Sequence, residues 1–223
     1  MDTLCEVENA MTGTPEVGHR QFAIAPSATG AIARLAYAHA KKAGIALPPL
    51  LSRSGLTAAQ IENRYLRLEV KGQIAFLGLV ADALGDDLLG FHLARDFDLR
   101  EIGPLYYVMT SSGMLEDALR RGERYSRIVN EAISVELDNG SSTTIRLKYV
   151  GVERHLDRHQ VEFWLTTIIR ICRQLTSRRL VPSHIRVMDR QTREQRQLEA
   201  FFGCRVEFSL TASRTCGKTL LTM

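Results

Sequence analysis

Paired cysteines, long apolar runs and blocks of like charge are all missing from this sequence, and each absence removes a class of protein. The four cysteines, Cys5, Cys172, Cys204 and Cys216, are scattered, with no Cys-x-x-Cys pair. That spacing writes neither a zinc ribbon nor a redox motif, and a disulfide scaffold would carry more of them. No stretch approaches the roughly 20 uncharged apolar residues that a membrane span needs. The first residues are acidic and lack the basic start and apolar centre of a secretory signal. A soluble, cytoplasmic protein without membrane contact is expected. Runs of five or more like charges, the mark of a nucleic-acid arm, do not occur.

What is present is ordinary for a globular chain: 223 residues, 45% hydrophobic and 24% charged. One domain with a short appendage is expected, burying roughly 70% of its unfolded surface without a covalent or metal staple. The formal net charge is +4, divided unevenly. Residues 1–110 carry 10 Lys and Arg against 12 Asp and Glu, whereas residues 111–223 carry 19 against 13. This tilt gives only weak support for contact with a polyanion.

Along the chain, residues 1–26 lack periodicity and hold several Gly and Pro, which predicts a flexible lead-in. Ser27 is the expected N-cap of a first helix that runs to Gly44 and is broken by Pro48-Pro49. Short helical segments follow near 50–54, 57–66, 72–84 and 86–95. From Leu115, a helix presents Leu115, Ala118, Leu119, Gly122, Tyr125, Ser126 and Val129 on one close-packing face. Alternating residues 132–137 and 143–150, joined by Asp138-Asn139-Gly140-Ser141, predict a β-hairpin. A long helix over 157–179, a strand at 185–188, a helix over 192–202 and a strand at 204–208 complete an α+β arrangement around one small mixed sheet.

Chemical motifs are scarce. Gly217-Lys218-Thr219 lacks the earlier glycine of a phosphate-binding loop, since Ala212 stands there, and no helix can follow in the few residues left. His155, His159 and Glu162 are spaced for one helix face, as metal ligands or an acid–base pair would be. The order His-Glu-x-x-His is absent, however, and Arg154, Asp157 and Arg158 surround the group. Arg120, Arg121, Arg124 and Arg127 are interleaved with Glu116, Asp117 and Glu123, which reads as a solvated face. The segment from Gly103 to Gly113 gathers Tyr106, Tyr107, Ser111 and Ser112, apolar walls with polar handles as pocket linings have.

Ordered motifs also carry a family resemblance. Gly90-Phe91-His92-Leu93-Ala94, Gly103-Pro104-Leu105-Tyr106-Tyr107, Ser111-Ser112-Gly113 and Ala118-Leu119-Arg120-Arg121 are similar to segments of AraC-family transcription regulators. So are Arg124-Tyr125-Ser126, Val129-Asn130, Phe201-Phe202-Gly203-Cys204 and Phe208. Together they resemble the N-terminal, arabinose-binding type of effector domain over residues 27–208. The likeness implies a non-enzymatic sensor of a small effector, with no catalytic or metal-binding residues, no cofactor and a homodimeric state. Arg205 departs from the proline usual after Gly-Cys, and residues 209–223 are expected to be an unrelated tail. No helix-turn-helix is expected after residue 208, so the chain reads as a regulator truncated before its DNA-binding domain, with DNA contact expected only through that missing part. The expected effector site is Tyr106, Tyr107, Ser111 and Ser112, with Trp164 as a wall. Other expectations are an effector-free oligomerisation partner of full-length regulators, or a metal-dependent hydrolase at His155, His159 and Glu162.

Overall fold

The computed structural model describes residues 25–140, 142–150, 156–187, 189, 192–209 and 219–223. The first part is helical. A two-residue strand β1 (Ser27–Ala28) leads to α1 (Ala31–Lys42), α2 (Leu47–Ser54) and α3 (Ala58–Glu62). Strand β2 (Leu68–Glu69) then pairs antiparallel with β1 and opens α4 (Val70–Leu84). Next come α5 (Leu89–Asp96), a 3₁₀ turn at Leu99–Ile102, α6 (Pro104–Thr110) and α7 (Leu115–Val129).

The second part forms the sheet. Strands β3 (Ile133–Asn139) and β4 (Thr143–Tyr149) make the expected hairpin, followed by α8 (Arg158–Thr176), β5 (His184–Val187), α9 (Gln195–Phe202), β6 (Val206–Phe208) and β7 (Thr219–Thr222). The strand order is β3-β4-β7-β5-β6. β7 runs antiparallel to both neighbours, and β5 and β6 are parallel across the α9 connection. The α+β reading therefore holds, with one strand that sequence did not show. Residues 219–222, expected within a tail outside the domain, form the middle of its sheet. Their Thr-Leu-Leu-Thr run is a short β-prone segment whose Leu221 is fully buried.

Three local expectations change. Ser27 caps no helix: its N–H and Oγ both donate to Glu131, at 2.8 and 2.9 Å, while its backbone pairs with β2. The N-cap position of α1 is Gly30, whose φ of 72° would strain other residues. Pro48 and Pro49 begin α2 rather than merely breaking α1, because proline's missing N–H costs nothing in a first helical turn. The predicted 57–66 helix ends at Glu62, although Thr57 and Gln60 do form a reciprocal capping box at its start.

α8 organises the rest. At its first turn it crosses α5 so closely that a Cβ on Gly90 would lie 1.9 Å from the His159 carbonyl oxygen. Farther along, Arg170 donates to the Ala94 and Phe97 carbonyls at 2.7 and 2.8 Å, satisfying the end of α5. Arg173 donates to the Phe201 and Phe202 carbonyls, both at 3.0 Å, and does the same for α9. Two arginines on one helix thus tie the helical half to the sheet half. Phe76, Phe91, Phe163, Leu165 and Ile169 are among the fully buried side chains of the continuous core. Among the described residues, no helix is long and apolar enough to cross a membrane.

Candidate effector site

The site lies where α6, α7 and α8 meet the hairpin. Helix periodicity decides which side chains arrive there. On α6, Leu105 and Met109 are four residues apart and share a face. On α7, Leu119, Gly122 and Ser126 do the same, and on α8 Trp164, Ile168 and Ile171 follow. With Ile133, Val135, Leu137 and Ile145 of the hairpin they enclose a cavity of about 40 Å³. Gly122 makes room: a Cβ there would sit 3.1 Å from Met109 Cε and 3.2 Å from its Sδ. Space for a few waters is present, but apolar walls offer water few partners.

Trp164 is held in place by a buried polar group behind it. Its indole Nε1 donates to the Tyr149 hydroxyl at 3.0 Å. That hydroxyl also accepts from Asn130 Nδ2 at 3.1 Å and donates to Gln160 Oε1 at 2.8 Å. Burial pushes the Tyr149 phenol well above its ordinary range, so it remains a donor at all physiological pH. Every buried polar atom named here is satisfied, which fixes the indole rotamer.

The cavity shares part of its wall with a groove. Glu123, Ser126, Ile133 and Val135 belong both to its wall and to an adjoining solvent-facing groove of about 620 Å³. Arg127, Glu131 and Ser134 line the outer part of that groove. Glu123 accepts the Leu137 N–H at 2.9 Å, meeting one of the outward donors of the edge strand β3. An apolar chamber with a polar mouth can bury the body of a small organic molecule and orient its head.

The five residues expected from sequence do not gather in one place. Trp164 lines the cavity. Tyr106 is buried one helical step away, accepting a hydrogen bond from Gln174 Nε2. Tyr107 is 57% exposed and stacks edge-on with Tyr106. Ser111 Oγ donates to the Val108 carbonyl at 3.0 Å and accepts from Arg121 at 2.8 Å. The Ser112 hydroxyl is buried without a partner among the described residues. These four form the corner between α6 and α7, while Leu105 and Met109 of the same segment face the cavity. Leu119, Gly122 and Ser126 were legible as a packing face of α7, but nothing in sequence showed a space beside it.

The metal-binding reading meets a different arrangement. His155 lies outside the described residues. His159 Nδ1 is 3.2 Å from Glu162 Oε2, but Arg158 Nε holds the other oxygen at 2.9 Å and Arg158 Nη1 reaches Asp87 at 3.2 Å. A guanidinium thus takes the place beside Glu162 that a cation would need. Elsewhere, Asp86, His92 and Glu194 bring ligand atoms within 4.8 Å of one another. Gln197 Nε2 donates to Glu194 at 3.1 Å, which turns its Oε1 towards His92 Nε2, also at 3.1 Å. His92 Nδ1 meets Asp86 at 2.9 Å. Both ring nitrogens face acceptors, so the imidazolium form fits and no lone pair is left for a metal.

The apolar chamber thus sits where a helical half packs on a small mixed sheet. Residues 44–216 match the model of the arabinose-binding domain found at the N-terminus of AraC transcription regulators. The chain belongs to that family. The matched region runs past residue 208, where the motifs noted in sequence end. The fold is shared with the crystal structure of the transcriptional regulator CdpR from Pseudomonas aeruginosa, at a TM-score of 0.56 and 14% identity. That similarity covers 86% of this chain and 54% of the CdpR chain, so this chain spans about half the length of that regulator. No curated protein sequence matches it.

Proposed function

We propose that this domain senses a small organic effector that enters through the groove and buries its apolar part against Trp164. The observation that carries this reading is that cavity and groove share Glu123, Ser126, Ile133 and Val135 as a common wall. The 40 Å³ chamber is too small for a whole metabolite, so binding displaces the hairpin from α7. That displacement is the signal: an effector acts by preferring one arrangement of these elements over another. Dimerisation, which the family likeness implies, and control of transcription through a DNA-binding part belong to the same proposal.

A thermal-shift screen of small metabolites tests it, run in parallel on Val135→Phe. The larger ring plugs the passage at a half-buried position of an edge strand. A compound at 100 times its dissociation constant adds about 2.7 kcal/mol to the native chain, a shift of roughly 5–11 °C at this size. The variant should lose that shift. Compounds that stabilise Val135→Phe as strongly as the native chain would place binding elsewhere.

A further inference from the structure

The geometry points to a zwitterion as the effector's head, specifically the ammonium and carboxylate of a small apolar α-amino acid, clamped by Glu123 and Arg127. This rests on the cavity reading above and adds the chemistry of the mouth. Three ionisable side chains line the groove: Glu123, Arg127 and Glu131. Glu131 is committed, accepting from Ser27 N and Oγ at 2.8 and 2.9 Å with Arg67 at 3.4 Å. Glu123 and Arg127 stand four residues apart on α7, the spacing at which acid and base usually pair.

The same helix shows what that spacing does when nothing intervenes. Glu116 and Arg120 close to 2.8 Å. Glu123 instead turns to the sheet edge, where Oε1 accepts the Leu137 N–H at 2.9 Å. Arg127 makes no close ion pair among the described residues, and its charge acts on Glu131 across the groove without closing on it. A half-buried carboxylate and a separate guanidinium therefore flank one opening, and Ser126 lies in the cavity wall between them. An α-amino acid carries a cation and an anion on one carbon, with its side chain projecting from the same atom. Its ammonium donates to Glu123, its carboxylate accepts from the Arg127 fork, and its side chain passes Ser126 and Val135 into the apolar chamber. Ligands of one charge satisfy half of the mouth and leave the other half unpaired.

Trp164 is the sole tryptophan and a wall of the chamber, so its emission reports occupancy directly. The full chain is titrated with L-valine, L-leucine and L-phenylalanine, and with 3-methylbutylamine and 4-methylpentanoate, which each keep leucine's isobutyl group and one of its charges. At least one amino acid is expected to bind, and to bind roughly ten- to a hundredfold more tightly than its single-charge analogues. Glu123→Gln keeps an acceptor for the Leu137 N–H and should erase the advantage over the carboxylate analogue. Arg127→Gln should erase the advantage over the amine. Analogues that move Trp164 emission with the affinity of the amino acid would overturn the clamp and leave the cavity reading standing. Amino acids without effect would also overturn it, while the metabolite screen on native chain and Val135→Phe judges the cavity separately.

Discussion

Replacing Gly90 by alanine probes the contact on which the whole arrangement turns. The added Cβ would lie 1.9 Å from the His159 carbonyl oxygen, 2.7 Å from its carbon and 2.8 Å from the His159 Cα. All three obstacles are backbone of α8, so no side chain can swing aside. Reaching ordinary contact requires α5 and α8 to part by about 1.5 Å at a crossing that protein interiors pack densely. Overpacking of this kind costs about 1–3 kcal/mol, with an immovable helix at the upper end. Alanine returns about 1 kcal/mol through helix propensity, leaving a net loss of about 2 kcal/mol. At this chain length that lowers the melting temperature by roughly 4–8 °C. Gly78→Ala is the control, because a Cβ there meets nothing within 4 Å. Circular dichroism melts should show Gly90→Ala falling and Gly78→Ala rising slightly. A Gly90→Ala chain as stable as the native one would refute the close crossing of α5 and α8.

Tyr149→Phe leaves Asn130, Gln160 and the Trp164 indole without their shared partner and should cost about 3 kcal/mol in urea unfolding. Tyr107→Phe removes a hydroxyl from a 57% exposed ring and should change stability by no more than about 0.5 kcal/mol in the same assay. Burial pulls the His92 pKa down, but the Asp86 and Gln197 hydrogen bonds and the Asp86 charge outweigh it and raise the pKa overall. A raised histidine contributes fully below its ordinary range and loses that contribution as pH rises through the folded value. Urea midpoints from pH 6 upward should therefore fall more in the native chain than in His92→Gln. Burial pushes the Cys172 thiol up to about 12, so mass spectrometry should find it unalkylated by iodoacetamide at pH 8 until urea is added.

Elements whose signal is local were readable before the structure. Asp138-Asn139-Gly140 and the alternation on either side placed the hairpin, and the long apolar stripe from Val161 placed α8. Strand β7 was not readable, because four residues near the chain end carry no period of their own and are defined by β4 and β5 on either side. Tyr106 and Tyr107 looked like a pocket lining because composition cannot show direction along a helix. A step of one residue on α6 separates the cavity wall at Leu105 from Tyr106, and a further step takes Tyr107 to solvent. Gly90 belonged to a recognisable motif, yet its reason, a helix crossing with His159, is a distance across 69 residues of chain that only the fold supplies.

Amide hydrogen exchange, measured with and without a compound chosen by the thermal-shift screen, tests the effector site most directly. The exposed mouth, edge strand β3 and the facing turns of α7 should exchange through local opening. Bound effector should slow exchange most across residues 115–149, with a smaller effect at 164–171 and little at 31–62. Protection concentrated in α1 to α3, with α7 and the hairpin unchanged, would contradict an effector site beneath them.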